Sequence, residues 1–222
     1  PIQLVLTNSS HPKSSELRAM ADALATTSSL IEVRLSEDES VAPHLEVHRN
    51  QEPTGISFTG VPGGHEFTSL VLGILHCDHK GKLPDRTFID RIRRLEGHAE
   101  IKTVVSLSCQ NCPEVVQALN LVAAFNGGVS NEMVDGDVDP DRVEAWKIKS
   151  VPAVVIGDEV VHTGRSDLGA LLEKLEDFFG GPDLTTAISD FAAAHGAEFH
   201  PLPEGAEHPL QWHSRYLEYC AM

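Results

Sequence analysis

Short blocks of apolar and alternating residues fill the first 97 positions and predict strands and helices in turn. The branched run from Ile2 to Leu6 is typical of a buried strand, and Leu30 to Leu35 alternates as a half-buried strand does. Ser14 offers a cap for a helix that runs to about Thr26. The elements predicted for this segment are strands at 2–6, 30–35, 45–47 and 56–59, and helices at 14–26, 66–76 and 85–95.

A second series of elements repeats that order. Its members are strands at 101–107, 129–134, 153–156 and 159–163, and helices at 113–125, 139–147 and 167–179. Even the break before the last helix recurs, as Thr59-Gly60 and as Thr163-Gly164. We therefore predict an α/β fold of two tandem halves, residues 1–97 and 98–180, with mixed sheets flanked by helices.

Residues 181–222 depart from the repeated plan. Gly181-Pro182 is a breaker, Asp183 can cap a helix that runs to about Ala194, and prolines then punctuate a loop before a short helix at Trp212 to Tyr219. We predict a C-terminal extension of helix and loop. It contains no G-x-G-x-x-G, so no dinucleotide-binding domain is expected within this chain.

Composition and charge narrow the function classes. With 41% hydrophobic and 23% charged residues, the chain is typical of globular proteins. Its net charge of −16 argues against a nucleic-acid partner, because neutralising phosphates requires clustered Lys and Arg. No run approaches the ~20 apolar residues of a membrane helix, and the sequence from Pro1 to Glu16 lacks the features of a signal peptide. We expect a cytoplasmic protein without a membrane partner.

Four cysteines occur, and two of them, Cys109 and Cys112, form a CxxC pair. One close pair with two scattered cysteines suits a reducing compartment, where such a pair is typical of redox or metal chemistry. The pair lies where an apolar strand is predicted to pass into a helix. There, free backbone N–H groups and the helix dipole favour the nucleophilic thiolate. We expect Cys109 to be the exposed nucleophile and Cys112 the more buried resolving thiol.

Zinc is the competing interpretation of a CxxC pair. A structural zinc site usually takes four Cys or His ligands in two close pairs, and no second CxxC is present. The group His76-Cys77-Asp78-His79 also suggests a metal, but consecutive residues at a helix end cannot all face one ion. We interpret that group as a loose surface turn and predict no metal site.

Three segments resemble one protein family. Residues 106–120 (SLSCQNCPEVVQALN) are similar to the redox motif in the amino-terminal domain of the flavoprotein component of bacterial alkyl hydroperoxide reductase. Residues 64–72 (GHEFTSLVL) and 151–154 (VPAV) match the same domain. The resemblance covers about residues 1–176.

The resemblance implies two tandem thioredoxin-like halves, of which only the second keeps a dithiol. In agreement, the first-half segment that corresponds to CxxC is Thr7-Asn8-Ser9-Ser10, which has no cysteine. The resemblance also implies a cis proline at Pro152 that faces the dithiol, so that Val151 and Pro152 line the substrate cleft. In the family, this domain passes electrons from a flavin–dithiol centre to the peroxiredoxin component of the same reductase system.

Glu66 has two interpretations. The matching glutamate of the family lies near the dithiol, across the cleft between the halves, where it could take a proton from a thiol or tune its pKa. Alternatively, a carboxylate in the first turn of a helix is favourable for dipole reasons alone. Both stay open at this point, and we count Glu66 as a candidate catalytic residue beside Cys109 and Cys112.

The chain departs from the family in its C-terminal segment, where FAD- and NAD-binding domains usually follow. We therefore expect no cofactor on this chain, with FAD and NAD(P)H on a separate flavoprotein disulfide reductase that donates electrons to it. A peroxiredoxin of the alkyl hydroperoxide reductase type is the expected acceptor. Two alternatives stay open: a general glutaredoxin- or thioredoxin-like protein disulfide reductase, and a non-catalytic module that binds a partner.

Overall fold

A computed structural model describes residues 1–179 as eight strands and six helices, with a 3-10 helix at Gly64–Glu66. The predicted extension at 181–222 lies outside the described residues. Within 1–179, no helix combines the length and the apolar character needed to cross a membrane. In chain order the elements are β1 (Ile2–Asn8), α1 (Ser14–Ala25), β2 (Ile31–Glu39), β3 (His44–Arg49), β4 (Glu52–Thr59), α2 (Phe67–Cys77), α3 (Arg86–Arg93), β5 (Ala99–Val105), α4 (Cys112–Phe125), β6 (Val129–Asp135), α5 (Pro140–Ala145), β7 (Ala153–Ile156), β8 (Glu159–Thr163) and α6 (Leu168–Phe178).

The eight strands form one mixed sheet in the order β2-β1-β3-β4-β6-β5-β7-β8. The second four strands repeat the arrangement of the first four: β1 pairs parallel with β2 and antiparallel with β3, as β5 does with β6 and β7. The two sets are joined by parallel pairing of β4 with β6, from Ile56 opposite Asn131 to Thr59 opposite Val134. The predicted fold class is confirmed for the described residues, and the boundary between the halves at residue 97 stays a prediction.

Helix α4 is the central element of one face of the sheet. Its sequence is apolar on nearly every side, and nine of its fourteen residues are buried. It packs against α2, α3 and α6 and against strands β4, β5 and β6. One apolar cluster combines Leu4, Leu45 and Phe58 of the first half with Val116 and Met133 of the second. The first half therefore completes the core around the helix that begins at the dithiol.

A buried polar chain specifies how α4 sits on the sheet. Thr103 Oγ1 donates to Asn131 Oδ1 (2.7 Å), and Asn131 Nδ2 donates to Asn120 Oδ1 (2.8 Å). Helix α2 approaches closely at Gly73, where a Cβ would lie 3.6 Å from Asn120 Nδ2. A shift of α4 would leave these buried amides unpaired, which costs more than their hydrogen bonds contribute when made.

Three local details differ from the sequence-based expectations. Ser14 is the first residue of α1 and not its cap. The helix expected to start at Glu66 starts at Phe67, because Glu66 closes the preceding 3-10 helix. The surface turn predicted around His76 and Cys77 is wrong for these two residues, since α2 continues through both and packs them into the interior.

Gly60 and Gly164 provide a test of how tightly the halves pack. They follow β4 and β8 at corresponding positions, with φ of +103° and +89°. A Cβ at Gly60 would lie 2.7 Å from Asp135 Cβ, whereas nothing lies within 4 Å of one at Gly164. Both alanine variants carry backbone strain, but only Gly60→Ala adds a clash. We expect it to lower the free energy of unfolding by about 1–3 kcal/mol more than Gly164→Ala.

Urea unfolding of the two variants, compared at equal m values, measures that difference. Equal losses of stability would show that the sheet relaxes around Gly60 without cost.

Candidate active site

The dithiol lies where β5 passes into α4. Loop 106–111 connects the two elements, and α4 begins with Cys112 and Pro113. A proline suits the first helical turn because the N–H groups there have no partner within the helix. The Cys109 N–H donates to the Ser106 carbonyl (2.9 Å), which turns the chain back toward the helix. Cys109 and Cys112 are joined by a disulfide, with their Cα atoms 5.5 Å apart.

The two cysteines differ in exposure. Cys112 is fully buried and belongs to the apolar cluster between α4 and the sheet, whereas Cys109 is only partly buried at its margin. A partner disulfide can therefore approach Cys109 without displacing the helix. The aligned peptide dipoles of α4 place partial positive charge at this end, which favours a thiolate once the disulfide is reduced.

A loop with a cis proline faces the dithiol. The Val151–Pro152 peptide bond is cis, and the Val151 carbonyl oxygen lies 3.9 Å from Cys109 Sγ. The Gly164 N–H donates to the Pro152 carbonyl (2.8 Å), which ties the loop to the end of β8. The first half keeps a proline at the corresponding place, Pro43, but among residues 1–179 only Val151–Pro152 is cis.

Glu66 is fully buried and does not act as a helix cap. Its Oε2 accepts a hydrogen bond from Ser69 Oγ (2.6 Å), and its Oε1 has no partner among the described residues. The side chain makes no capping hydrogen bond to α2. Burial raises the pKa of Glu66 to about 7, an effect that the Ser69 hydrogen bond offsets only in part. The carboxyl group can therefore gain or lose a proton near neutral pH.

The 3-10 helix that carries Glu66 packs against α4. Gly64, with φ of +54°, approaches the loop before the dithiol so closely that a Cβ would lie 3.0 Å from the Leu107 carbonyl oxygen. From α4, Gln117 Nε2 donates to Ser69 Oγ (3.3 Å), so the Ser69 hydroxyl links Glu66 to the helix of the dithiol. Sequence reasoning missed Ser69 and Gln117. The i,i+3 spacing of Glu66 and Ser69 was the available signal.

The first half presents a thiol-free segment along the same edge of the sheet. Strands β1, β4, β5 and β6 run parallel, so their carboxyl ends share that edge. Thr7-Asn8-Ser9-Ser10 extends from the end of β1, with Thr7 Oγ1 2.7 Å from Ser40 Oγ. Beyond it, Lys13 Nζ forms an ion pair with the buried Asp135 at the end of β6 (3.5 Å). This contact joins the first half to the second beside the dithiol strand.

Cys77 lies apart from this arrangement. It is a free, buried cysteine at the C-terminal end of α2, and burial raises the pKa of its thiol. The eleven-residue helix puts roughly 16 Å between Cys77 and the end next to Glu66. Residues 1–179 contain no three His, Cys, Asp or Glu side chains placed to hold one metal ion. Cys220 lies outside the described residues.

Comparisons with known proteins agree on the fold and on a family. A thioredoxin-domain family model matches residues 99–176. The chain is 38% identical over 176 residues to the F subunit of alkyl hydroperoxide reductase from Pseudomonas putida, an alignment that covers 79% of this chain and 34% of the relative. It is 41% identical over 170 residues to a protein named NADH dehydrogenase from Ferdinandcohnia aciditolerans, covering 77% and 32%. The chain thus spans about a third of the length of the curated relatives it matches.

A solved structure extends the comparison to three dimensions. The crystal structure of the NTD_N/C domain of alkylhydroperoxide reductase AhpF from Enterococcus faecalis matches with a TM-score of 0.73 at 28% identity. The match covers 78% of this chain and 90% of that one. Fold and site together define a thiol–disulfide oxidoreductase built on the thioredoxin fold. Within that class the chain is a homologue of the amino-terminal domain of the alkyl hydroperoxide reductase flavoprotein AhpF, so the resemblance of the three sequence segments is confirmed.

The buried carboxyl group of Glu66 makes stability depend on pH. A pKa raised from 4.5 to about 7 means that the folded protein binds the proton more tightly than the unfolded chain does. This contribution is therefore complete below about pH 4.5 and is lost as the pH rises through 7. Of about 3 kcal/mol in total, about 2–3 kcal/mol is expected to be lost between pH 5 and pH 8. Glu66→Gln cannot ionise and should remove this loss.

Urea unfolding of the wild type and Glu66→Gln at both pH values measures the effect. Glu52→Gln, which changes an exposed glutamate, is the control and should keep the wild-type difference. The same pH dependence in wild type and Glu66→Gln would contradict a raised pKa at this residue.

Proposed function

We propose that the chain relays electrons from a flavin-dependent disulfide reductase to the disulfide of a peroxiredoxin, in peroxide defence. The observation that carries the proposal is the placement of Cys109, which is accessible, bonded to the buried Cys112 and next to the Val151 carbonyl. Relatives named as the F component of alkyl hydroperoxide reductase support a peroxide-linked acceptor. In this proposal FAD and NAD(P)H belong to the reductase, this chain binds neither, and the reaction takes place in the cytoplasm.

The exchange proceeds in two displacement steps. The Cys109 thiolate attacks one sulfur of the partner disulfide, so that a mixed disulfide forms while the partner's own S–S bond breaks and its leaving sulfur takes up a proton. The Cys112 thiol then loses its proton and attacks Cys109 Sγ. This second step releases the other partner sulfur as a thiol and restores the Cys109–Cys112 disulfide. Two electrons and two protons have passed to the partner, and the reductase returns both to the chain.

Glu66 serves as proton acceptor for the resolving thiol. Cys112 is fully buried, so its proton needs a group inside the protein before bulk water can receive it. Glu66 lies in the 3-10 helix packed on α4, the helix that starts at Cys112. A carboxyl pKa near 7 suits an acceptor that must bind and release a proton at neutral pH.

Cysteine variants test the relay. Cys109→Ser is expected to abolish peroxiredoxin-coupled turnover because no thiolate remains to attack the partner. Cys112→Ser should instead accumulate a mixed disulfide, since the resolving thiol is missing. Cys77→Ser is the matched control and should keep a near wild-type rate, because that thiol lies at the far end of α2. NAD(P)H-linked peroxide consumption measures turnover, and non-reducing electrophoresis detects the mixed disulfide.

The same series separates the competing functions. A general disulfide reductase would reduce insulin as readily as a peroxiredoxin, and a non-catalytic module would reduce neither. Sustained turnover of Cys109→Ser would refute the dithiol relay itself.

Glu66→Gln tests the proton acceptor. Removing a nearby negative charge lowers the pKa of a thiol, so a carboxylate that acts only through its charge predicts faster exchange at neutral pH in the variant. A proton acceptor predicts the opposite, and we expect resolution of the mixed disulfide to slow by about tenfold or more at pH 7. Glu114→Gln, in the first turn of α4 but exposed, is the control and should exchange at the wild-type rate. Stopped-flow measurement of partner reduction across pH 6–9 decides between the two, and superimposable profiles would make Glu66 purely structural.

A further inference from the structure

Helix α5 and the segment after it lead directly to the loop that faces the dithiol. Trp146 ends α5, and Val151 follows five residues later. None of the six α5 residues is fully buried, so apolar burial alone holds this helix only weakly. The position of the Val151 carbonyl beside Cys109 therefore depends on what else attaches α5 to the sheet.

Arg142 supplies that attachment. Its Nη1 and Nη2 donate to the two carboxylate oxygens of Glu132 on β6, at 3.0 and 2.8 Å, and its Nε donates to Asp139 Oδ2 at 2.6 Å. The Glu132 side chain is 13% exposed, so water and salt screen this pair less than a surface pair. Burial would raise the pKa of Glu132, but hydrogen bonds from Arg142 and Thr59 bring it below its ordinary value. The pair is therefore fully charged and directional at neutral pH.

The network continues into the thiol-free half. Thr59 Oγ1 donates to Glu132 Oε1 at 2.5 Å and lies 2.8 Å from His44 Nδ1. A hydroxyl group has one proton, and Thr59 uses it on the carboxylate, so His44 must donate from Nδ1. Thr59 ends β4 and His44 begins β3, so two strands of the first half connect to the ion pair.

Trp146 connects the ion pair to the loop. The Arg142 guanidinium carbon lies 5.6 Å from the centroid of the Trp146 ring, within reach of a cation–π contact. The Trp146 N–H also donates to the Arg142 carbonyl (3.0 Å). Trp146 and Val151 pack against the same small apolar cluster between α5 and the sheet. Displacing Arg142 would therefore disturb the support of Val151.

We propose that Arg142 is a positioning residue: by holding α5 to Glu132, it keeps the Val151 carbonyl at the dithiol. The thiol-free half takes part through Thr59, whose hydroxyl orients the Glu132 carboxylate. The effect on partner binding rests on the proposed function, whereas the effect on the loop does not. An ion pair that only stabilised the fold would change the free energy of unfolding and leave the loop as it is.

Hydrogen exchange of the folded, oxidised chain tests the loop geometry directly. Arg142→Met removes the pair, and Arg91→Met is the matched control, because Arg91 makes an equivalent bidentate pair with Glu176 (2.8 and 2.8 Å) between α3 and α6. We expect exchange in residues 146–154 to be about tenfold faster in Arg142→Met, about threefold faster in Thr59→Val, and unchanged in Arg91→Met. Arg142→Lys keeps the charge without the planar fork and should fall between wild type and Arg142→Met. Indistinguishable loop exchange in the Arg142 and Arg91 variants would overturn the proposal.

Kinetics of the reduced variants test the consequence for partners. A protein disulfide can use the Val151 carbonyl as a hydrogen-bond acceptor, whereas a small aromatic disulfide such as DTNB cannot. Arg142→Met is therefore expected to raise KM for a peroxiredoxin about fivefold while leaving the rate with DTNB unchanged. An equal loss with both substrates would assign Arg142 a general structural role and overturn the proposal. A wild type that reduces DTNB but no peroxiredoxin would instead refute the proposed acceptor, and hydrogen exchange would still decide the role of Arg142.

Discussion

The parallel pairing of β4 with β6 is the constraint on which the rest of the site depends. It merges two similar four-stranded units into one sheet and brings the carboxyl ends of β4, β5 and β6 to a common edge. From that edge, β4 leads to the 3-10 helix that carries Glu66, and β5 leads to Cys109. Because α4 then covers strands of both halves, a residue of the thiol-free half can be fixed beside the redox helix with no flexible linker between them.

Two buried carboxyl groups near this edge illustrate different solutions to one electrostatic problem. Asp135 retains a charged partner, Lys13, so its burial joins the halves. Glu66 has only the hydroxyl of Ser69, and a neutral partner cannot compensate for the loss of hydration of a carboxylate. An unpaired buried carboxyl weakens the fold at neutral pH, so a requirement for proton transfer explains its presence better than any contribution to stability.

Much of the fold could be predicted because its signals are local. Branched apolar runs indicate the strands, and Cys109-Gln-Asn-Cys112-Pro113 at a strand–helix junction indicates the redox pair. The burial of Glu66 could not be predicted in this way, because a first-turn glutamate is equally compatible with an exposed cap. Long-range contacts decide it: Gln117 lies 48 residues from Ser69, and Glu132 lies 73 residues from Thr59. No short pattern reports such pairs, since they depend on which strands become neighbours.

The shared sheet also bears on solubility. If the dithiol half were separated at the connecting segment, β6 would become an edge strand with unpaired N–H and C=O groups along one side. The face of α4 that packs on α2 and β4, with Val116 and Ala123, would be exposed at the same time. A free strand edge beside an apolar patch promotes self-association, so the redox half is expected to aggregate by itself. A half that has lost its thiols can thus be retained for colloidal reasons: it is the permanent cover of an otherwise adhesive surface.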